Sequence, residues 1–346
     1  MKVVQKYIIY EIFPLFIMGN IFFIFLLIID KAIDLTDLFF AHGVPIFLII
    51  ETLFLYLPSF LVITIPTSML LSSLIAFSRF AVDSELVVLK SSGSSGNIFL
   101  SPVLLFSITA FLFSVFVSIY LIPAGNKLAV NNLKVMAEYI SINDLNEKEL
   151  YRNIPGYLIY AGGKKSDYSF NDLLIIDEKN SMLVFAEHGE ILPSKGGKVM
   201  FNLSNGRMIS SSDDYSSISF ENFVIDVSIV DVSTLTFNDE RFMTLKELKD
   251  NFEVNPIYKF QFSSNFALPF ATLIMGVFGF SLGNVLTRSN KMLGVFISLS
   301  IVMFYNMIYI LSKSLIYKGF DPFFTPWISN IIFSLLSVMM LRRVFK

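Results

Sequence analysis

Two histidines, His42 and His188, are the only imidazoles in a chain of 346 residues, and cysteine is absent. Metal and thiolate chemistry needs several such side chains at short, characteristic spacing, so neither an HExxH site nor a cysteine-based centre can be assembled here. The lack of cysteine excludes disulfides and cysteine nucleophiles without assigning a redox compartment. Gly162-Gly163-Lys164-Lys165 and Gly196-Gly197-Lys198 have the look of phosphate loops, but neither completes GxxxxGK[ST], and both are expected to be turns.

One segment has residue types in a usable order. From Arg79 to Gly93 the chain reads Arg-Phe-Ala-Val-Asp-Ser-Glu-Leu-Val-Val-Leu-Lys-Ser-Ser-Gly. Asp83 or Ser84 can cap a short helix, Glu85 in its first turn complements the helix dipole, Lys90 stands near the far end, and Gly93 is a natural stop. A helix over residues 83–92 offers a carboxylate and several apolar side chains to a groove on a partner. A passive connector accounts for the same residues equally well.

The surrounding elements belong to a membrane. Hydrophobic residues make up 54% of the chain, charged residues 16%, and the mean hydropathy is +0.67, values that a water-soluble globule does not sustain. Of 28 acidic residues 20 lie between Lys127 and Lys259, with 14 of the 26 basic ones, so the flanks are nearly bare. A helix that crosses about 30 Å of hydrocarbon takes about 20 apolar residues. Such windows lie within Phe13 to Ile29, Thr52 to Ser78, Ser91 to Asn126, Gln261 to Thr287, Met292 to Ser312 and Pro322 to Leu341. The apolar run after Tyr10 is long and no small-residue cleavage pattern follows it, so it reads as a retained helix. The expected organisation is residues 1–126 as one membrane block, 127–259 as a polar domain and 260–346 as a second membrane block.

Orientation follows from the cations of the short loops. Lys2, Lys6, Arg79, Lys90, Arg288, Lys291, Arg342, Arg343 and Lys346 fall on one side, and Lys31, Lys313 and Lys318 on the other. The positive-inside rule then makes both termini cytoplasmic and the inserted domain periplasmic. Pro58, Pro66, Pro102 and Pro269 inside spans predict bent helices. The 38 phenylalanines suit a wall for acyl chains, although lipid-facing and packing roles explain most of them.

In the inserted domain the period changes to that of strands, at Phe170 to Ile176, Met182 to Leu192, Val199 to Ile209 and Ile218 to Ile229. Asn205-Gly206 is the dipeptide of a two-residue hairpin turn, which needs positive φ at both positions. An antiparallel sandwich or roll is expected. Thr244 with Glu247 forms a capping-box pattern for a connector helix from Leu245 to Phe252, and the stretch from Lys127 to Leu150 extends the third span outward.

At the Arg79 to Gly93 segment the sequence resembles the LptF/LptG family of lipopolysaccharide-export permeases, in which a basic residue, a short spacer, Ser-Glu-Leu and a closing glycine mark the coupling helix. Tyr7, Glu11 and Pro14 resemble the family's opening, and Gly43-Val44-Pro45, Leu57-Pro58-Ser59 and Ile65-Pro66 its first loop and second span. Phe266-Ala267-Leu268-Pro269-Phe270-Ala271, Leu282-Gly283, Gly294 and Trp327-Ile328-Ser329-Asn330 follow its order in the second half. Ser281 and Ser329 depart from it where proline is usual, and Asn265 where a basic residue is common. The stretch from Asp37 to Pro45 and the second span are similar to LptF more than to LptG.

The resemblance implies an α+β membrane protein with six transmembrane helices, three before and three after an inserted periplasmic jelly-roll-like antiparallel β-domain. It implies one permease subunit of an ABC exporter of lipopolysaccharide, paired with a paralogous permease and an LptB-like ATPase dimer. LptC and LptA-like proteins would form the periplasmic bridge. On that reading Arg79, Asp83, Ser84, Glu85, Leu86 and Leu89 contact the ATPase. The chain itself is non-catalytic and holds no cofactor directly, and ATP acts through the partner. Lys31, just beyond the first span, is a candidate for lipid phosphates, although Asp30 and Asp34 beside it suit a topology anchor as well. A secondary transporter, which wants ionisable groups at mid-membrane and often inverted repeats, and a membrane-anchored scaffold are the rival classes.

Overall fold

In the computed structural model, residues 3–42, 44–85, 91, 97–139, 147–151, 156–166, 169–178, 181–194, 198–210, 216–228, 240–285 and 291–344 are described. Helices α1 (Val3–His42), α2 (Ile46–Val82), α3 (Asn97–Phe116) and α4 (Ile122–Tyr139) come first. Strands β1 (Leu150–Tyr151), β2 (Tyr157–Ser166), β3 (Ser169–Asp177), β4 (Met182–Ser194), β5 (Lys198–Ser210) and β6 (Ser216–Ser228) follow, and then α5 (Leu245–Asp250), α6 (Pro256–Val285), α7 (Lys291–Ser314) and α8 (Ile328–Val344). Six stretches among the described residues are long and apolar enough to cross a membrane: Val3–Ile33, Ile46–Val82, Ile98–Leu133, Pro256–Val285, Gly294–Lys318 and Thr325–Val344.

The third stretch joins α3 to α4 through a π-helical turn, Val117–Leu121, in which the Ile122 N–H donates to the Val117 carbonyl. Pro123 follows at once and has no N–H to return to the ladder, so the wider turn sits where the regular one loses a donor.

Two compact units are present. The first holds Met1–Asp30, Leu55–Asn126 and Asn238–Lys346, and the second Lys31–Phe54 and Lys127–Phe237. Residues 31–54, which the sequence groups with the first membrane block, thus cluster with the second unit. There Val44 and Ile49 pack against Met136 of α4.

In the first unit α6 is the central helix: 67% of its most apolar window is buried, against 17–28% in the other five. Glycines let its backbone approach α2. A Cβ at Gly279 would stand 2.5 Å from the Leu70 carbonyl oxygen, and one at Gly283 2.7 Å from that of Leu74, both inside van der Waals contact. Asn265 of α6 is buried and accepts a hydrogen bond from Gln261 at 3.0 Å. Ser281 donates to the Val277 carbonyl at 2.9 Å, within an unbroken helix.

The sheet of the second unit has the order β1-β2-β3-β4-β5-β6, each strand antiparallel to its neighbour in sequence, so its connectivity is a meander. Its core is Ile159, Ala161, Phe170, Leu173, Ile175, Val184, Ala186, Phe201 and Leu203, covered at the margin by Met208, Phe220, Phe223 and Ile225. Two strands beyond the four named from sequence, β1 and β2, complete it.

One line across this sheet breaks the simple alternation. The core-facing row Ala161, Leu173, Ala186, Gly206 and Phe220 is paired strand to strand, and so is the next core-facing row, Lys164, Phe170, Gly189, Leu203 and Phe223. Two residues separate these rows in every strand, where a regular strand has one. Each strand therefore carries one extra residue at the same level, and the register across the line is unchanged.

Asn205 and Asp172 absorb the extra residue with φ of 53° and 50°. The expected Asn205-Gly206 hairpin is corrected here: β5 runs unbroken from Lys198 to Ser210. The positive φ that asparagine tolerates serves a bulge-like slip, because both halves of β5 have β4 and β6 to pair with. Gly162 and Gly163, expected in a turn, lie within β2 on the same line, and Gly196 and Gly197 fall outside the described residues. The capping box at Thr244 is present. The Glu247 N–H donates to Thr244 Oγ1 at 3.3 Å and the Thr244 N–H to Glu247 Oε2 at 2.7 Å, and the helix ends at Asp250.

Candidate functional site

Arg79 closes α2, one turn before Asp83, and its Nε lies 3.6 Å from Asp83 Oδ2. Because α1 and α2 run antiparallel, the N-terminal end of α1 returns to the same place. Tyr7 and Glu11, one turn apart on α1, face Arg79 together. Arg79 Nη1 pairs with Glu11 Oε1, and Nη2 donates to the Tyr7 hydroxyl at 3.3 Å. The Tyr7 hydroxyl in turn donates to both carboxylate oxygens of Glu85, at 3.4 and 3.3 Å.

An apolar floor fixes these side chains. Ile8, Ile12, Phe77, Phe80, Phe99, Val103 and Phe280 are buried in one cluster beneath them. The Tyr7 ring lies 5.6 Å from that of Phe80, and the Arg79 guanidinium 5.9 Å above the Phe80 ring. Phe77 and Phe280 meet edge to face at 4.6 Å, tying α2 to α6 directly below the charged group. At the start of α3, Ser101 accepts from Gln5 of α1 at 3.4 Å.

One guanidinium thus serves three carboxylates, two directly and Glu85 through Tyr7, and the group keeps a surplus of negative charge. Chemically, such a group can offer carboxylate to a cationic side chain, where charge-assisted hydrogen bonds are the strong ones.

Of the residues singled out from sequence, Arg79, Asp83, Ser84 and Glu85 are brought together here. Leu86 and Leu89 lie outside the described residues. Ser84 has φ of 58°, so it turns the chain out of α2 and lacks the extended backbone of a helix cap. Lys31 is half-buried on α1, 24 positions after Tyr7 in the sequence. Tyr7 and Glu11 enter as members of the cluster itself. Their sequence signal was the i, i+4 placement of a hydroxyl and an acid in the first turns of α1.

A second polar group ties down the chain that enters the last three spans. Lys313 of α7 pairs with Glu240 at 2.8 Å. Asn126 accepts from Ser59 at 3.1 Å and donates to the Arg241 carbonyl at 3.3 Å.

Compared with known families, residues 6–343 match the model of the lipopolysaccharide export system permease LptF/LptG. An uncharacterized protein of Rickettsia prowazekii (strain Madrid E) is 22% identical over 267 residues, which cover 75% of this chain and 70% of that protein.

Proposed function

The chain belongs to the LptF/LptG family of lipopolysaccharide export permeases, and from that membership we propose that it is one transmembrane subunit of an ABC exporter that lifts lipopolysaccharide out of the inner membrane. The observation that carries this reading is the family match over nearly the whole length, both membrane blocks included. Six spans and an inserted antiparallel sheet are the architecture the task requires.

The physical demand is large. Burying an acyl chain is worth about 0.8 kcal/mol per CH₂, so exposing one chain of roughly 14 carbons costs on the order of 10 kcal/mol. Transfer without a covered route is too slow to serve, and energy must enter from nucleotide hydrolysis. The chain supplies no hydrolytic centre of its own in this scheme. An LptB-like ATPase dimer hydrolyses ATP and docks on this subunit and on a paralogous permease, with this chain in the LptF position. Cytoplasmic termini and a periplasmic sheet are supported by nine short-loop cations on one side of the spans against three on the other. In the periplasm LptC and LptA-like bridge proteins receive the lipid.

The contact with the ATPase is the Arg79–Glu85 cluster. Its carboxylate surplus suits basic side chains on the partner, and Glu85, half-buried, is the last member of the relay. Lys31 is the substrate-side candidate, a cation for lipid phosphates. The test is the complex purified with its native subunits and reconstituted in vesicles. Glu85→Lys is expected to lower lipopolysaccharide release more than tenfold or to detach the ATPase. Assembly and release equal to the parent would remove Glu85 from the interface. Isolation of the chain without any nucleotide-hydrolysing subunit would remove the exporter reading altogether.

A further inference from the structure

We propose that Tyr7 is a positioning residue for Glu85, so that the first helix acts as the backrest of the coupling segment. This rests on Glu85 contacting the ATPase, as set out above. A glutamate side chain has three torsions and no inherent reason to point in one direction. Here both of its carboxylate oxygens lie within hydrogen-bond reach of one hydroxyl.

That hydroxyl is itself held. Tyrosine has two torsions, its ring is fixed against Phe80, and its oxygen accepts from Arg79. Arg79 is pinned by Glu11 on one nitrogen and by Asp83 on another. Glu11 and Tyr7 belong to α1, and Arg79 and Asp83 to the end of α2. The carboxylate that meets the partner is therefore oriented by α1 although it is carried by the segment after α2. A load on Glu85 reaches both helices at once.

Removing the hydroxyl with Tyr7→Phe keeps the ring on Phe80 and lets the glutamate swing. It also removes the hydroxyl that links Glu85 to Arg79, and through Arg79 to Glu11 and Asp83. The consequence is a weaker and less directed docking contact.

The experiment is a double-mutant cycle on the purified permease complex, with the affinity of the ATPase subunit and the lipid released per ATP hydrolysed as readouts. Tyr7→Phe is expected to weaken ATPase binding about fivefold, the worth of a modest hydrogen bond, and to lower lipid released per ATP. In a Glu85→Gln background the same substitution is expected to add little. Tyr10→Phe, an exposed tyrosine three residues on whose ring meets Lys6, should leave both readouts unchanged.

Equal losses from Tyr7→Phe in the two backgrounds would mean that Tyr7 merely holds the helices together, and the proposal falls. An unaltered Tyr7→Phe beside an impaired Glu85→Gln would also overturn it while leaving Glu85 in the interface. An unimpaired Glu85→Gln would remove the coupling reading itself, and this inference with it.

Discussion

Glu240 shows how far a single contact can hold a boundary. Burial alone would raise its carboxyl, but the hydrogen bond from Lys313, its own backbone and the charges of Lys313 and Arg241 hold it below the ordinary glutamate range. Since the folded value is depressed, the stabilisation is present above the ordinary value of about 4.3 and is lost as pH falls through the folded value. Glu240→Gln is expected to lower stability by about 1 kcal/mol at neutral pH, the pair being partly solvent-screened. The gap should close in acid. Thermal denaturation of the detergent-solubilised protein across pH measures it, and a gap of equal size at pH 7 and pH 3 would show that the ion pair is not its source. At this scale the local members of the docking cluster were legible, because Arg79, Asp83 and Glu85 are charges set together at the end of an apolar run. Tyr7 and Glu11 could be quoted from the sequence only as part of a family likeness. Their role depends on two helices returning to one place, with Tyr7 and Arg79 72 positions apart in the sequence, and no local pattern records that.

Helix against helix, α6 comes close to α2 at Gly279 and Gly283. Adding a methyl at Gly279 drives it into the Leu70 carbonyl and the Ser73 side chain, so backbone must move. Gly279→Ala is expected to cost about 1–3 kcal/mol, as overpacking does. Gly163→Ala in β2, where a Cβ meets nothing within 4 Å, should change stability by less than about 0.5 kcal/mol. A similar loss at both sites would deny Gly279 any special closeness. Strand existence was readable from alternation at Phe170 to Ile176 and in the three runs after it. The slip at Asn205 was not. Asn-Gly advertises a left-handed backbone, but a hairpin and a bulge make the same local demand, and only the neighbouring strands decide between them.

Across the whole molecule, six apolar runs were enough to place the spans, since the bilayer sets a length that few soluble helices imitate. The grouping of residues 31–54 with the second unit was not readable, because it depends on Val44 and Ile49 finding Met136. Orientation is open to direct measurement, since the chain has no cysteine and single thiols can be introduced without background. Glu178→Cys, in the turn after β3, is expected to react with a membrane-impermeant reagent added to spheroplasts, and Arg343→Cys in α8 only after permeabilisation. The opposite pattern would invert the topology and take the ATPase contact away from Glu85. The line of paired extra residues across the sheet carries a last consequence. Deleting Asn205 alone would leave Met208 on the core face by simple alternation but put half of β5 one step out against two neighbours at once. A shorter sheet is reached only when all five strands give up a residue at that level together, so length changes here must come in matched sets.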